Sequence, residues 1–134
     1  MRRILNAALA VMLASLATPA WADGAQAAIE AGAVAFVEAY ASGDGGQVAA
    51  LYTEDGAVLP PGGTQVDGRD GIAAFWQGAI DSGLVLTGIE PLEISESGDQ
   101  AVDIGFVHLS APDGEGGMTA LTAKYIVIWQ RGAD

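Results

Sequence analysis

The residues best suited to chemistry in this chain are an aspartate and a tyrosine on two neighbouring predicted strands. Asp103 lies in the alternating segment 100–110, and Tyr125 lies in a second alternating segment, 118–130. A carboxylate in an apolar pocket has a raised pKa, and a tyrosine hydroxyl beside it can stabilise an anion. The pair therefore predicts either acid-base catalysis or a buried structural hydrogen bond, and both interpretations stay open.

Composition excludes several other kinds of chemistry. The chain has no cysteine and a single histidine, so thiol catalysis and the usual zinc ligand sets cannot be assembled. His108 falls near a strand end on the face opposite Asp103, which suits a rim or interface position. We therefore predict no metal and no cofactor. The formal net charge of −12 repels phosphate backbones and anionic lipids, so we expect no nucleic-acid partner and, after cleavage of an N-terminal export signal, no membrane partner.

The first 22 residues have the three-part pattern of an export signal. Arg2 and Arg3 precede the apolar run 4–16, and Ala20-Trp21-Ala22 supplies a cleavage site of small residues. The run is shorter than the ~20 residues that a membrane-spanning helix needs. We predict a signal peptide over 1–22, one domain over 23–134, and a periplasmic or secreted protein. An uncleaved anchor or a buried helix is the alternative.

Beyond the signal, helices come first and long strands follow. Helical spacing of apolar residues predicts helices over about 26–41 and 69–82, with a short helix capped by Asp44 between them. Pro91 predicts a bulge or an edge in its strand. The predicted strands are 57–59, 64–67, 84–95, 100–110 and 118–130. This order predicts an α+β fold.

The last two strands are predicted to form a hairpin around a glycine-rich loop over 111–117. If the hairpin closes evenly, Ser110 pairs with Met118 and Asp103 lies opposite Tyr125. Alternation then puts Asp103 and Tyr125 on one face of the sheet and an apolar set on the other.

Four sequence blocks occur in an order typical of one family. They are ASGD at 41–44, LYTEDGAV at 51–58, GR at 68–69 with FW at 75–76, and KYIVIW at 124–129. The chain resembles the SnoaL-like proteins of the ketosteroid-isomerase superfamily, whose fold is shared with nuclear transport factor two. The resemblance implies a cone, in which a bent antiparallel sheet wraps three N-terminal helices around a pocket.

The resemblance also implies which sheet face looks into the pocket. The family position that matches Tyr125 points inward, which implies pocket residues Asp103, Tyr125, Phe36, Tyr40, Trp76, Val107 and Trp129. The reverse assignment, with the apolar face inward, stays open. Steroid isomerisation is not expected, because the family's general-base position falls on Pro60 and its helix tyrosine on Phe36, and neither side chain transfers protons.

The function predicted is an exported module that binds a small apolar or aromatic molecule in this pocket. The alternative is an enzyme of isomerase, cyclase or hydratase type that uses Asp103 and Tyr125 on a small hydrophobic substrate. A third interpretation is an assembly domain with a filled pocket. Many relatives dimerise through the outer sheet face, so the resemblance implies a homodimer there.

The relatives usually continue past the last predicted strand with one further strand, whereas residues 131–134 correspond to the turn before it. The resemblance therefore implies an edge beside 118–130 that lacks its usual neighbour. Truncation and coverage by another chain are both open explanations.

Overall fold

The structure, a computed structural model, describes residues 8–14 and 24–131. Its elements are β1 (Ala8–Ala14), α1 (Ala25–Ala41), α2 (Gly45–Ala49), β2 (Ala57–Leu59), β3 (Val66–Asp67), α3 (Gly68–Asp81), β4 (Val85–Ser97), β5 (Gln100–Pro112) and β6 (Met118–Gln130). From α1 onward, the helices and strands are those that the sequence predicts, with ends that differ by a few residues. The α+β class is confirmed.

The sheet has six strands in the order β3-β2-β1-β6-β5-β4. Strands β4, β5 and β6 are antiparallel neighbours. The β4–β5 pairing shifts register twice, between Leu86 and Gly88 and between Pro91 and Glu93, which confirms the bulge predicted at Pro91. Bulges bend a strand and increase its twist, so they help this sheet to curve around the helices.

Strand β1 is the element that the sequence did not predict. Residues 8–14 were assigned to the export signal, yet their backbone pairs with β6 from Ala8 opposite Lys124 to Ala14 opposite Gln130. The pairing is parallel, so β1 adds one parallel neighbour to the predicted antiparallel sheet of β4, β5 and β6. Because β1 pairs with β6, it covers the β6 edge that was expected to lack a neighbour. On its other side β1 pairs with β2. The predicted cleavage site and residues 132–134 lie outside the described residues.

The β5–β6 hairpin is longer than predicted. Pro112 pairs with Met118 and Ser110 with Ala120, so the expected pairing of Ser110 with Met118 is wrong. The turn is tightened by Asp113, whose Oδ1 accepts hydrogen bonds from the backbone N–H groups of residues 115 and 117 at 2.7 and 3.0 Å. Asp103 consequently lies opposite Val127. Because the shift is of two residues, every side chain keeps its predicted face.

The three helices pack over one face of the sheet and are tied together by polar contacts. Asp44 caps α2 by accepting from the Gly46 N–H at 2.8 Å, as predicted, and the Gln77 amide oxygen accepts from the Gly45 N–H at 2.9 Å. Arg69 donates twice to the Tyr52 carbonyl, at 3.0 and 2.8 Å, and so fixes the chain before β2 to α3. Among the described residues, no helix is long and apolar enough to cross a membrane.

Candidate functional site

A cavity of about 240 Å³ lies between helices α1 and α3 and strands β4 to β6. The turn after β2 closes one side through Pro61. All seven predicted site residues line it: Phe36, Tyr40, Trp76, Asp103, Val107, Tyr125 and Trp129. The inward face of the sheet is therefore the one that carries Asp103, as the resemblance implied. Whether these residues bind a ligand stays a prediction.

Asp103 is the charged group in the wall of this cavity. Strand alternation points it inward from the middle of β5, where it is only 1% exposed. Its carboxylate accepts from the Tyr125 hydroxyl, at 3.1 Å to Oδ1 and 3.2 Å to Oδ2, and from the Trp129 indole N–H at 3.1 Å. Burial raises the pKa of Asp103, and the two hydrogen bonds partly oppose this change. Both donors satisfy an otherwise costly buried charge.

The pKa of Tyr125 is also raised. Burial is the main cause, and the negative charge of Asp103 adds to it. The phenol therefore stays protonated and keeps donating to the carboxylate at neutral pH. Tyr125 consequently acts as a hydrogen-bond donor in this site, and the pair does not hold a tyrosinate poised to remove a proton.

Two glycines make room for the donors to Asp103. A Cβ on Gly105 would lie 2.7 Å from the Tyr125 hydroxyl oxygen and closer still to the Glu90 carbonyl oxygen. A Cβ on Gly32, in α1, would collide with the six-membered ring of Trp129. Neither residue was predicted from the sequence as part of the site. The available signal was a glycine inside an alternating strand and another inside a helical pattern, each of which indicates a close approach.

The aromatic wall of the cavity comes mainly from α1 and α3. The Phe36 and Trp76 ring centroids are 5.2 Å apart and nearly perpendicular, and Tyr40 meets Trp76 in a similar way at 6.1 Å. The Trp76 indole N–H donates to the Tyr52 hydroxyl at 3.1 Å, and the Tyr40 hydroxyl donates to the Leu84 carbonyl at 2.7 Å. Because the polar atoms of Tyr40 and Trp76 form hydrogen bonds within the protein, these side chains present only ring carbon atoms to the cavity.

The accessible lining of the cavity is accordingly apolar: among the described residues, no polar atom is exposed to its interior. Tyr125 and Trp129 cover the oxygens of Asp103. A general base must come within ~2.6–3.2 Å of the proton that it removes. Asp103 reaches a ligand proton only if one of its two donors moves aside, so this arrangement favours binding over acid-base catalysis.

Several lining residues were not predicted from the sequence, because side chains without polar atoms carry no chemical signal. They are Ala33, Phe75, Leu84, Leu86, Ile89 and Leu109. The hydrogen bond from Trp129 to Asp103 was missed as well. His108 lies on the outer face, as predicted, with Nδ1 3.3 Å from the Thr122 hydroxyl and Nε2 3.5 Å from the Glu90 carboxylate. No cluster of metal-binding side chains occurs within residues 24–131.

The fold and the inward-facing cavity define a class of protein: a curved sheet that wraps helices around a pocket, as in proteins related to nuclear transport factor two. The family model of the SnoaL-like domain matches residues 33–134, and the chain belongs to that family. A comparison with curated proteins finds no match.

Solved structures share the fold at low sequence identity. A candidate calcium/calmodulin dependent protein kinase II association domain from Xanthomonas campestris has a TM-score of 0.61 at 23% identity, over 79% of this chain and 78% of its own. A ketosteroid isomerase-like protein from Erwinia carotovora atroseptica has a TM-score of 0.59 at 21% identity, over 76% of this chain and 92% of its own. A third structure is a protein from Novosphingobium aromaticivorans that is similar to nuclear transport factor two and has a cystatin-like fold. Its TM-score is 0.58 at 16% identity, over 79% of this chain and 81% of its own. These similarities show the fold alone.

Proposed function

We propose that this protein is an exported module that binds a small apolar or aromatic molecule. The observation that carries the proposal is the cavity of about 240 Å³, whose accessible lining is apolar. Ligand pockets in proteins are mostly apolar and usually measure ~300–1,000 Å³. This cavity lies just below that range, so its ligand is small.

The alternative function is an enzyme of isomerase, cyclase or hydratase type. It is favoured by a buried carboxylate in hydrogen-bond contact with Tyr125 and by the fold shared with the ketosteroid isomerase-like protein from Erwinia. Against it, the oxygens of Asp103 are covered, and the positions of the family's general base and helix tyrosine hold Pro60 and Phe36. Binding therefore explains more of the site than catalysis does.

Asp103→Asn separates the two functions. Asparagine has nearly the same shape and keeps one acceptor oxygen for Tyr125 or Trp129, so we expect affinity for a neutral aromatic ligand to change by less than threefold, or about 0.6 kcal/mol. Turnover that depends on the carboxylate should instead fall by ~100-fold or more. Calorimetric titration measures the first quantity, and product formation measures the second. A large loss of turnover with unchanged affinity would favour the enzyme.

Native mass spectrometry of the protein purified from an exporting host tests the proposal directly. We expect an intact mass that begins at Asp23, together with a retained small molecule. A ligand-free protein that also binds no apolar aromatic compound on titration would contradict the binding proposal. A mass that includes residues 1–22 would contradict processing of the export signal.

The outer sheet face is proposed as a homodimer surface. Its central side chains are the half-buried apolar residues Ile104, Phe106, Ile126 and Ile128. A continuous apolar surface of this kind usually marks an interaction site. The second copy is the expected partner because many members of the family dimerise through this face.

Phe106→Lys tests this surface. A buried charge at the centre of an interface should weaken self-association by ~100-fold or more, and light scattering coupled to size exclusion would then report a monomer. Val34→Lys is the matched control, because Val34 is 58% exposed on α1 and should leave the dimer intact. Equal masses for the wild type and the Phe106 variant would rule out this face.

A further inference from the structure

Among the described residues, none that lines the cavity carries a positive charge. Residues 24–131 contain three lysine or arginine side chains, and the one histidine, His108, lies on the outer face. Arg69 is held on the Tyr52 carbonyl, and Arg131 pairs with Asp99. Lys124 precedes the inward-facing Tyr125, so it belongs to the outer face of β6. An anionic ligand would therefore lose its hydration in this cavity without gaining a cationic partner.

The negative charge that the wall does contain is Asp103. It is buried, so solvent ions screen it weakly, and the whole chain carries a net charge of −12. The charge of Asp103 and the net charge of the chain both attract a cation and repel an anion. The Coulomb energy therefore favours an organic cation over a neutral molecule of the same shape, and a weakly hydrated cation loses the least of this gain on leaving water.

The aromatic rings around the cavity also favour a cation as the ligand. The π face of an aromatic ring attracts a cation, most strongly for tryptophan and tyrosine. The Tyr125 hydroxyl and the Trp129 indole N–H both donate to the Asp103 carboxylate, at 3.1 Å each. Donation to an anion polarises the donor, so these two rings become richer in electrons.

The apolar lining restricts which cation fits. A primary ammonium carries three N–H donors that need acceptors, and no acceptor is exposed in the described part of the cavity. A quaternary ammonium has no N–H group and presents methyl groups, which suit aromatic and aliphatic walls. The same lining that excludes a primary amine therefore accepts an alkylated one.

We propose that the cavity selects quaternary ammonium compounds with a small apolar or aromatic body, over uncharged and anionic molecules of the same shape. The proposal rests on the proposed function, since it names the ligand class of the same pocket. The selectivity comes from Asp103 and from the aromatic rings that line the cavity, namely those of Phe36, Trp76, Tyr125 and Trp129.

Four benzyl compounds test the proposal by calorimetry and competition. They are benzyltrimethylammonium, its uncharged carbon isostere neopentylbenzene, the anion phenylacetate, and benzylammonium. We expect the ammonium to bind about tenfold more tightly than neopentylbenzene. Phenylacetate should not compete at millimolar concentration. Benzylammonium, with its three N–H donors, should bind more weakly than the trimethylated compound.

Two variants assign the selectivity to its source. Asp103→Asn should lower the preference for the ammonium to about threefold or less, because the charge is removed and the shape is kept. Phe36→Leu, which keeps an apolar wall but removes one ring, should weaken the ammonium more than neopentylbenzene and provides a second test if the Asp103 variant does not fold.

The outcomes separate this inference from the proposed function. If neopentylbenzene binds as tightly as the ammonium, or if phenylacetate competes, the charge selectivity is wrong while the apolar binding function stands. If none of the probes binds to folded protein, the proposed binding function itself is wrong. A tenfold preference that Asp103→Asn leaves unchanged would remove Asp103 from the argument and overturn the proposal as stated.

Discussion

Replacing Gly105 with alanine is expected to destabilise the protein by about 3 kcal/mol, the sum of two effects. The first is overpacking, which typically costs ~1–3 kcal/mol in a rigid environment. The added methyl group would lie 2.7 Å from the Tyr125 hydroxyl oxygen and closer still to the backbone oxygen of Glu90. A backbone oxygen in a paired strand cannot move aside as the tip of a flexible side chain can. Tyr125 would also be displaced, which would leave the buried carboxylate of Asp103 short of a donor at a cost of ~1–3 kcal/mol.

Thermal unfolding measures this effect. In a domain of about this size, 1 kcal/mol corresponds to a change of ~4–8 °C in Tm, so we expect Gly105→Ala to lower Tm by roughly 15 °C. Gly88→Ala in β4 is the matched control, because the nearest atom to its added Cβ is 3.9 Å away, on His108. Its effect should stay within about 0.5 kcal/mol. Equal Tm values for the two variants would mean that Gly105 does not make room for Tyr125.

Removing residues 1–22, as processing of the export signal would, is also expected to lower stability. In the structure, β1 pairs seven residues with β6 and two with β2. Without β1, both neighbours would present unpaired backbone groups at the centre of the sheet. At ~0.5–1.5 kcal/mol for each net hydrogen bond, the loss amounts to several kcal/mol. The chain 23–134 should therefore remain folded but unfold at least ~10 °C below the full chain.

A backbone substitution within the full chain provides the control for this deletion. Val11 is paired with Val58 of β2 and Val127 of β6. Val11→Pro removes a backbone N–H from the middle of β1 and should reproduce much of the destabilisation at unchanged length. If the chain 23–134 and the full chain unfold at the same temperature, residues 8–14 are not part of the stable fold and serve as an export signal alone.

The local pattern of the sequence was sufficient for most of the elements. Apolar spacing along 26–41 and 69–82 predicted α1 and α3, and Asp44 marked the start of α2. Pro91 marked the bulge in β4. These features depend on backbone periodicity, capping and proline geometry, all of which act over a few residues. The inward face was also predicted, but from the family resemblance, because alternation alone leaves both faces possible.

Contacts between distant segments required the tertiary structure. The sequence could not predict that β5 runs on to Pro112, because the turn position depends on the hydrogen bonds that Asp113 makes. It assigned residues 8–14 to an export signal and gave no indication that they pair beside β6, since the apolar pattern of a signal also suits a buried strand.

The sequence by itself determined the aspartate, the aromatic residues around it, their strand and helix positions, and the absence of cysteine and clustered histidine. Only the tertiary structure decided that Trp129 is a second donor to Asp103 and that Gly32 and Gly105 leave space for the two donors. Only it decided that the carboxylate is covered from the cavity. The reason is physical: side-chain type and periodicity are local properties. The distance between atoms on α1, β5 and β6 is set by how all three pack together.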